Sequence, residues 1–147
     1  METGVTLQVK DDIAYYMVRW SALTLADRWS ISGKVPAVGG VYEIYWMDDH
    51  QHLRMLSVGC THYGGLRSEL RRLTDPELTT DKEIRRILED KEIWYRYVIT
   101  NSPRIMADLV WFFRVTYFPE NPGVEHSGQY KKIYLKESDP DKLIWVP

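Results

Sequence analysis

The sequence predicts an α+β fold, a small antiparallel or mixed sheet flanked by helices, on three observations. Residues 41–46 and 53–60 are alternating runs of β-branched and aromatic side chains separated by the polar stretch 48–52, which is the pattern of a hairpin. Apolar residues then switch to helical spacing, with Leu66, Leu70 and Leu73 at i, i+4 and i+7. A third aromatic and β-branched run, residues 93–99, precedes a segment apolar on most sides.

Size and composition set the frame for these elements. The 147 residues suffice for one domain with a real core, and 44% hydrophobic with 27% charged residues is the balance of an ordinary globular chain. No apolar run approaches bilayer-spanning length, and Met1-Glu2-Thr3 is not followed by an apolar stretch, so a cytoplasmic protein without a membrane partner is expected. The lone Cys60 excludes an internal disulfide; it reads as a small apolar filler at a strand end, with nucleophilic use requiring a lowered pKa. A net charge of −2 means that any phosphate-binding surface must be local.

In chain order, residues 1–12 are polar with one strand at 5–9. Residues 13–31 mix Tyr15, Tyr16, Trp20 and Trp29 with Leu23, Leu25 and Ala26; Ser21 or Thr24 is expected to cap a short helix there, and the segment to pack across one face of the sheet. Glycine and proline at 33–40 make a turn leading into the central strand. Alternation puts Tyr42, Ile44 and Trp46 on one face of that strand and Val41, Glu43 and Tyr45 on the other. Asp48, Asp49, His50 and His52 have metal-ligand chemistry, but their adjacency in a polar loop favours a solvated hairpin tip. Thr80-Asp81-Lys82-Glu83 is a capping-box pattern opening a second charged helix through Ile84, Ile87 and Leu88. Ser102 followed by Pro103 starts the apolar helix, which Pro119 to Gly123 terminates. Strand candidates at 130–135 and 143–146 close the chain, and residues 125–128 carry no pattern that places them.

The elements from 36 to 121 resemble the core of the GIY-YIG nuclease family. Gly40-Val41-Tyr42 stands at the first signature and Ser57-Val58-Gly59 at the second, followed by a helix with arginines. Residues 1–35 and 122–147 would then be extensions on a single domain. The resemblance implies a tyrosine acting on the attacking water, a second tyrosine assisting, an arginine on the next helix facing the phosphate, and a glutamate on a later helix holding one divalent metal. Position by position, Tyr42 matches the first tyrosine, Ser57 replaces the second, Glu69 falls at the arginine and Trp111 at the metal-binding glutamate. Arg67 or Arg71 would substitute for the arginine if the helix were rotated, and Asn121 sits near the family's late asparagine. Asp108 is expected to pair with Arg104 at i, i+4.

The candidate catalytic residues are therefore Tyr42, Ser57, His62, Arg67 and Arg71, and the candidate nucleic-acid contacts Arg67, Arg71, Arg72 and Asn121. Each has a plainer reading: Tyr42 as a core aromatic, the arginines as a solvated helix face, His62 as a turn residue. Two functions follow from the resemblance. One is a binding module for nucleic acid or a protein partner in DNA processing, with an eroded catalytic set and no metal or other cofactor. The alternative is an endonuclease with a rearranged site using Mg2+ or Mn2+. Losing both the metal carboxylate and the phosphate-facing cation removes the main sources of positive charge at a phosphodiester transition state, which favours the first.

Overall fold

The structure, a computed structural model, describes residues 3–138 and the backbone of a two-residue strand at 145–146. The order is β1 (Gly4–Lys10), β2 (Ile13–Arg19), β3 (Thr24–Leu25), α1 (Arg28–Lys34), β4 (Gly40–Met47), β5 (Leu53–Thr61) and α2 (Gly65–Thr74). A 3-10 turn (Pro76–Leu78) leads to α3 (Lys82–Asp90), β6 (Ile93–Ile99), α4 (Pro103–Tyr117), β7 (Lys132–Ser138) and β8 (Trp145–Val146). The fold is α+β, as its sequence predicts.

β4 lies between β5 and β6 and is antiparallel to both, with Tyr42 opposite Gly59 on one side and Tyr97 on the other. The expected hairpin and third strand are therefore present. The sheet is larger than expected, running β3-β6-β4-β5-β8, and a second sheet, β1-β2-β7, stands beside it. The hairpin closes at Asp48, whose carboxylate accepts the N–H groups of His50 and His52 at 2.9 Å and Arg54 Nε at 2.9 Å. Those bonds hold its carboxyl down at about 2, the backbone N–H of His52 contributing most, so Asp48 organises the turn.

Alternation along β4 divides the core. Tyr42, Ile44 and Trp46 pack with Ile31 of α1, Leu66 and Leu70 of α2 and Leu88 of α3. On the opposite face Val41, Val58 and Val98 meet Met106, Leu109, Val110 and Phe113 of α4, together with Ala14, Tyr16 and Val18 of β2. The N-terminal aromatic segment thus packs across one face of the sheet, as expected, but as a strand over 13–19.

Local chemistry sets the helix starts. Ser102 Oγ accepts the N–H of Ile105 at 3.3 Å with Pro103 in the first turn, as predicted. Two caps differ. Asp27, not Ser21 or Thr24, caps α1, because its carboxylate reaches the N–H groups of Trp29 and Ser30 at 2.9 and 2.8 Å. Asp81 rather than Thr80 caps α3, accepting from Glu83 and Ile84. Gly65 opens α2 at φ 78, where a Cβ would stand 2.7 Å from the carbonyl carbon of Ala37.

The strand expected at 130–135 begins two residues later and pairs in parallel with β2, Tyr15 opposite Tyr134. Of the terminal run, Trp145 and Val146 pair with Leu53 and Arg54 of β5, and residues 143–144 lie outside the described residues.

Charged groups lie between the layers. Glu43 and Arg96, opposite each other on β4 and β6, are 0% and 2% exposed and joined at 2.7 Å. Tyr45 Oη donates to Glu43 at 2.5 Å, Arg96 Nη2 reaches Glu137 of β7 at 3.2 Å, and Trp20 Nε1 donates to Glu137 at 2.8 Å. The guanidinium lies over the Trp20 ring at 4.3 Å. Burial pushes the Glu43 carboxyl up, and Arg96 pulls it back only in part. Asp108, wholly buried, does not pair with Arg104. It accepts Tyr16 Oη at 2.5 Å and the N–H of Ser127 at 2.8 Å, so its helix face turns inward and fixes the 125–128 loop.

Candidate functional site

The two signature strands bring Tyr42 and Gly59 into direct contact. A Cβ on Gly59 would stand 2.3 Å from Tyr42 Oη, so glycine is required where the ring lies across the neighbouring strand. Tyr42 is 6% exposed. Burial pushes its phenol up to about 12, with Glu69 and Cys60 adding to the rise and Arg114 and Arg72 opposing it. Any tyrosine hydroxyl is protonated near neutrality, and burial makes removal of this proton harder still.

Glu69 on α2 is the charged group that acts most strongly on Tyr42 after burial, and it is paired with Arg72. The position matching a phosphate-facing arginine therefore presents a carboxylate, and the adjacent cation is partly neutralised. Ser57, opposite Ile44, borders a cavity of ≈ 200 Å³ with Arg72, Leu73 and Ile84. Cys60 is half-buried, and burial pushes its thiol up, contrary to what a nucleophile requires. Arg114 of α4 donates through Nε and Nη2 to the Val58 carbonyl at 2.9 and 2.8 Å. That bidentate contact covers a backbone acceptor on β5.

The remaining candidates are dispersed. Arg67 Nε donates to the Val35 carbonyl at 2.7 Å, so this side chain ties α2 to the end of α1. Arg71 is exposed and borders a cavity of ≈ 580 Å³ with Arg28, Ile31, Ser68, Arg72 and Asp75. Arg28, which no sequence pattern singled out, joins this surface because α1 packs on α2. His62 is exposed beside Tyr63, their ring centroids 6.4 Å apart. Asn121 is exposed, its N–H donating to the Phe118 carbonyl at 3.2 Å.

Among the described residues, the positions that the resemblance assigns to a divalent metal do not supply its ligands. Trp111 is half-buried, with its ring edge-on to His126 at 5.1 Å. Asp108 is turned away into the core, and Glu120 and Glu125 are exposed. Among the described residues no group of three or more His, Cys, Asp or Glu side chains gathers to hold a metal ion. No helix among them is long and apolar enough to cross a membrane.

Fold and site together define an α+β protein in which a tyrosine and glycine on paired strands face an arginine-bearing helix. A family model described as "Uncharacterised protein" matches residues 4–147, and the chain belongs to that family. Neither curated proteins nor solved structures gave a match.

Proposed function

We propose that this chain is a GIY-YIG-like domain with an eroded catalytic set, serving in DNA processing as a binding module whose nucleic-acid contacts lie on the arginine face of α2. The strand order β5-β4-β6, the Tyr42–Gly59 contact, the helix α2 that follows and α4 across the opposite face all support the family resemblance. The observation that carries the loss of catalysis is the environment of Tyr42: it is 6% exposed, and α2 brings the Glu69 carboxylate into its surroundings where a phosphate would need a cation. Arg71 and Arg28 remain exposed around the α1–α2 cavity, where phosphate oxygens would meet them.

The test is duplex DNA binding followed by fluorescence anisotropy across a salt series, beside a cleavage assay in Mg2+ and Mn2+. Arg28→Gln with Arg71→Gln should weaken duplex binding and flatten the slope of log K against log salt by about 0.9 for each phosphate no longer neutralised. No cleavage above background is expected. Cleavage in either metal that disappears in Tyr42→Phe would overturn the reading in favour of an endonuclease, and duplex affinity indifferent to both arginines would remove nucleic acid from it.

A further inference from the structure

The outward face of the β1-β2-β7 sheet has a composition unlike the rest of this mildly acidic chain. Strand register fixes which side chains share it: Gln8 is opposite Tyr15 and Tyr15 opposite Tyr134, while Thr6 is opposite Met17 and Met17 opposite Lys136. Tyr15 and Tyr134 are 43% and 50% exposed, and their rings stack at 5.4 Å with planes 14° apart. Lys10 and Lys132 fall in the row on one side of the tyrosines, through Ile13, and Lys136 and Arg19 in the rows on the other. The strand positions of this face carry these cations and no carboxylate. Glu137 points to the opposite side, where it binds Trp20 and Arg96, and Asp11 and Asp12 lie in the β1–β2 turn. Among the described residues none of the four cations has an ion-pair partner.

We infer that this sheet face is a platform for single-stranded nucleic acid, bases stacking on the Tyr15–Tyr134 pair and the phosphate backbone crossing to Lys10 and Lys132 on one side and Lys136 and Arg19 on the other. Charge complementarity specifies an anionic occupant. The aromatic pair favours one with flat rings along its whole length, because stacking on tyrosine is open to any base, whereas a lipid headgroup has no aromatic ring and a run of acidic side chains has none either. There is room on both sides of the pair. One open hollow of ≈ 380 Å³ is bordered by Tyr15, Met17, Tyr134 and Lys136, and another of ≈ 590 Å³ by Gln8, Lys10 and Tyr15. A duplex hides its base faces, so it can use only the charges. This inference stands on the three-stranded sheet alone and does not depend on the reading of Tyr42 and α2.

The experiment is anisotropy with labelled oligo-dT and oligo-U of about 15 nucleotides, a span within that of known single-strand sites, against a duplex of equal length. Wild-type protein should bind the single strands. Tyr15→Ala with Tyr134→Ala should weaken that binding about tenfold or more, while Tyr15→Phe with Tyr134→Phe stays within about twofold. Lys132→Gln with Lys136→Gln should flatten the salt slope by about 0.7 for each phosphate left without its cation. Photocrosslinking of 5-iodouridine oligonucleotides to wild-type protein, mapped by mass spectrometry, gives the site without any variant and should label β2 or β7. No single-strand binding, equal affinity of the alanine and wild-type proteins, or crosslinks confined to α2 would each overturn the inference. Binding only to anionic vesicles would likewise replace it. Duplex binding abolished in the Arg28 and Arg71 variants is a separate readout, so either proposal can fail while the other stands.

Discussion

Replacing Arg96 by methionine tests the buried charge system most directly. Methionine keeps much of the apolar stem but removes the guanidinium, which lies over Trp20 and 2.7 Å from Glu43. Glu43 is wholly buried, and its Oε2 has no hydrogen-bond partner among the described residues, so the variant leaves a carboxylate with the Tyr45 hydroxyl and no cation. Stranding one member of a buried ion pair costs about 3–5 kcal/mol. At roughly 4 °C per kcal/mol for a chain of this size, Tm should fall by about 12–20 °C. The penalty must depend on pH. Glu43 already has a raised pKa in the folded protein, so its unfavourable contribution grows as pH rises above the unfolded value of 4.5 and disappears below it, where the carboxyl is protonated in both states. Thermal denaturation followed by circular dichroism should therefore show a larger deficit at pH 8 than at pH 5. Adding Glu43→Gln to Arg96→Met should recover most of the loss, because the wholly buried charge is then gone and Glu137, whose side chain is 35% exposed, keeps the Trp20 donor. An Arg96→Met protein that melts like wild type, or a double variant no better than the single one, would refute the argument.

Two further outcomes follow from neighbouring groups. Asp108→Ala leaves the Tyr16 hydroxyl and the Ser127 N–H without their buried acceptor and should cost about 3 kcal/mol, read as a lower urea midpoint at unchanged m. Tyr42 has a phenol raised from 10.0 to about 12, so the stability it contributes is complete below pH 10 and is lost as pH rises through 12. Tyr42→Phe should accordingly lose less stability than wild type between pH 10 and 12 in equilibrium denaturation; identical losses would show that this ring is not the group that titrates.

The parts of the fold legible in sequence are those with one dominant pattern. β4, β5 and β6 are apolar, aromatic and β-branched runs bounded by polar turns, and Ser102-Pro103 marks the start of α4 without a competing cap. β2 carried a readable signal that its composition obscured: Ala14, Tyr16, Val18 and Trp20 are the buried side chains, at period two, but consecutive aromatics and nearby helix formers suggested a mixed segment. The second sheet is not legible, since the parallel pairing of β2 with β7 depends on residues far apart in the chain. The buried ion pair was half visible. Glu43 falls between Val41 and Tyr45 on an inward face, which requires a partner, yet only the β4–β6 register identifies Arg96. At the site, Tyr42 lies on the predicted central strand opposite Gly59, whereas Arg67 is engaged with a backbone carbonyl that no linear pattern reveals. Arg28 and the Tyr15–Tyr134 stack were equally hidden, being products of helix and strand packing.

The pairing of β2 with β7 also has a consequence in time. Trp20 and Glu137 are hydrogen-bonded across 117 positions, and a ribosome adding about 5–20 residues per second needs about 6–23 s to cover that distance. Throughout the interval a nascent chain can form the β1–β2 hairpin and later lay α4 against it, yet the far side of β2 has no neighbouring strand and Arg96 lacks the Glu137 carboxylate. A row of unsatisfied backbone groups on an apolar strand is an invitation to pair with another chain. The emerging polypeptide is thus most exposed to mispairing, and to chaperone capture, along one strand edge until β7 arrives and seals it.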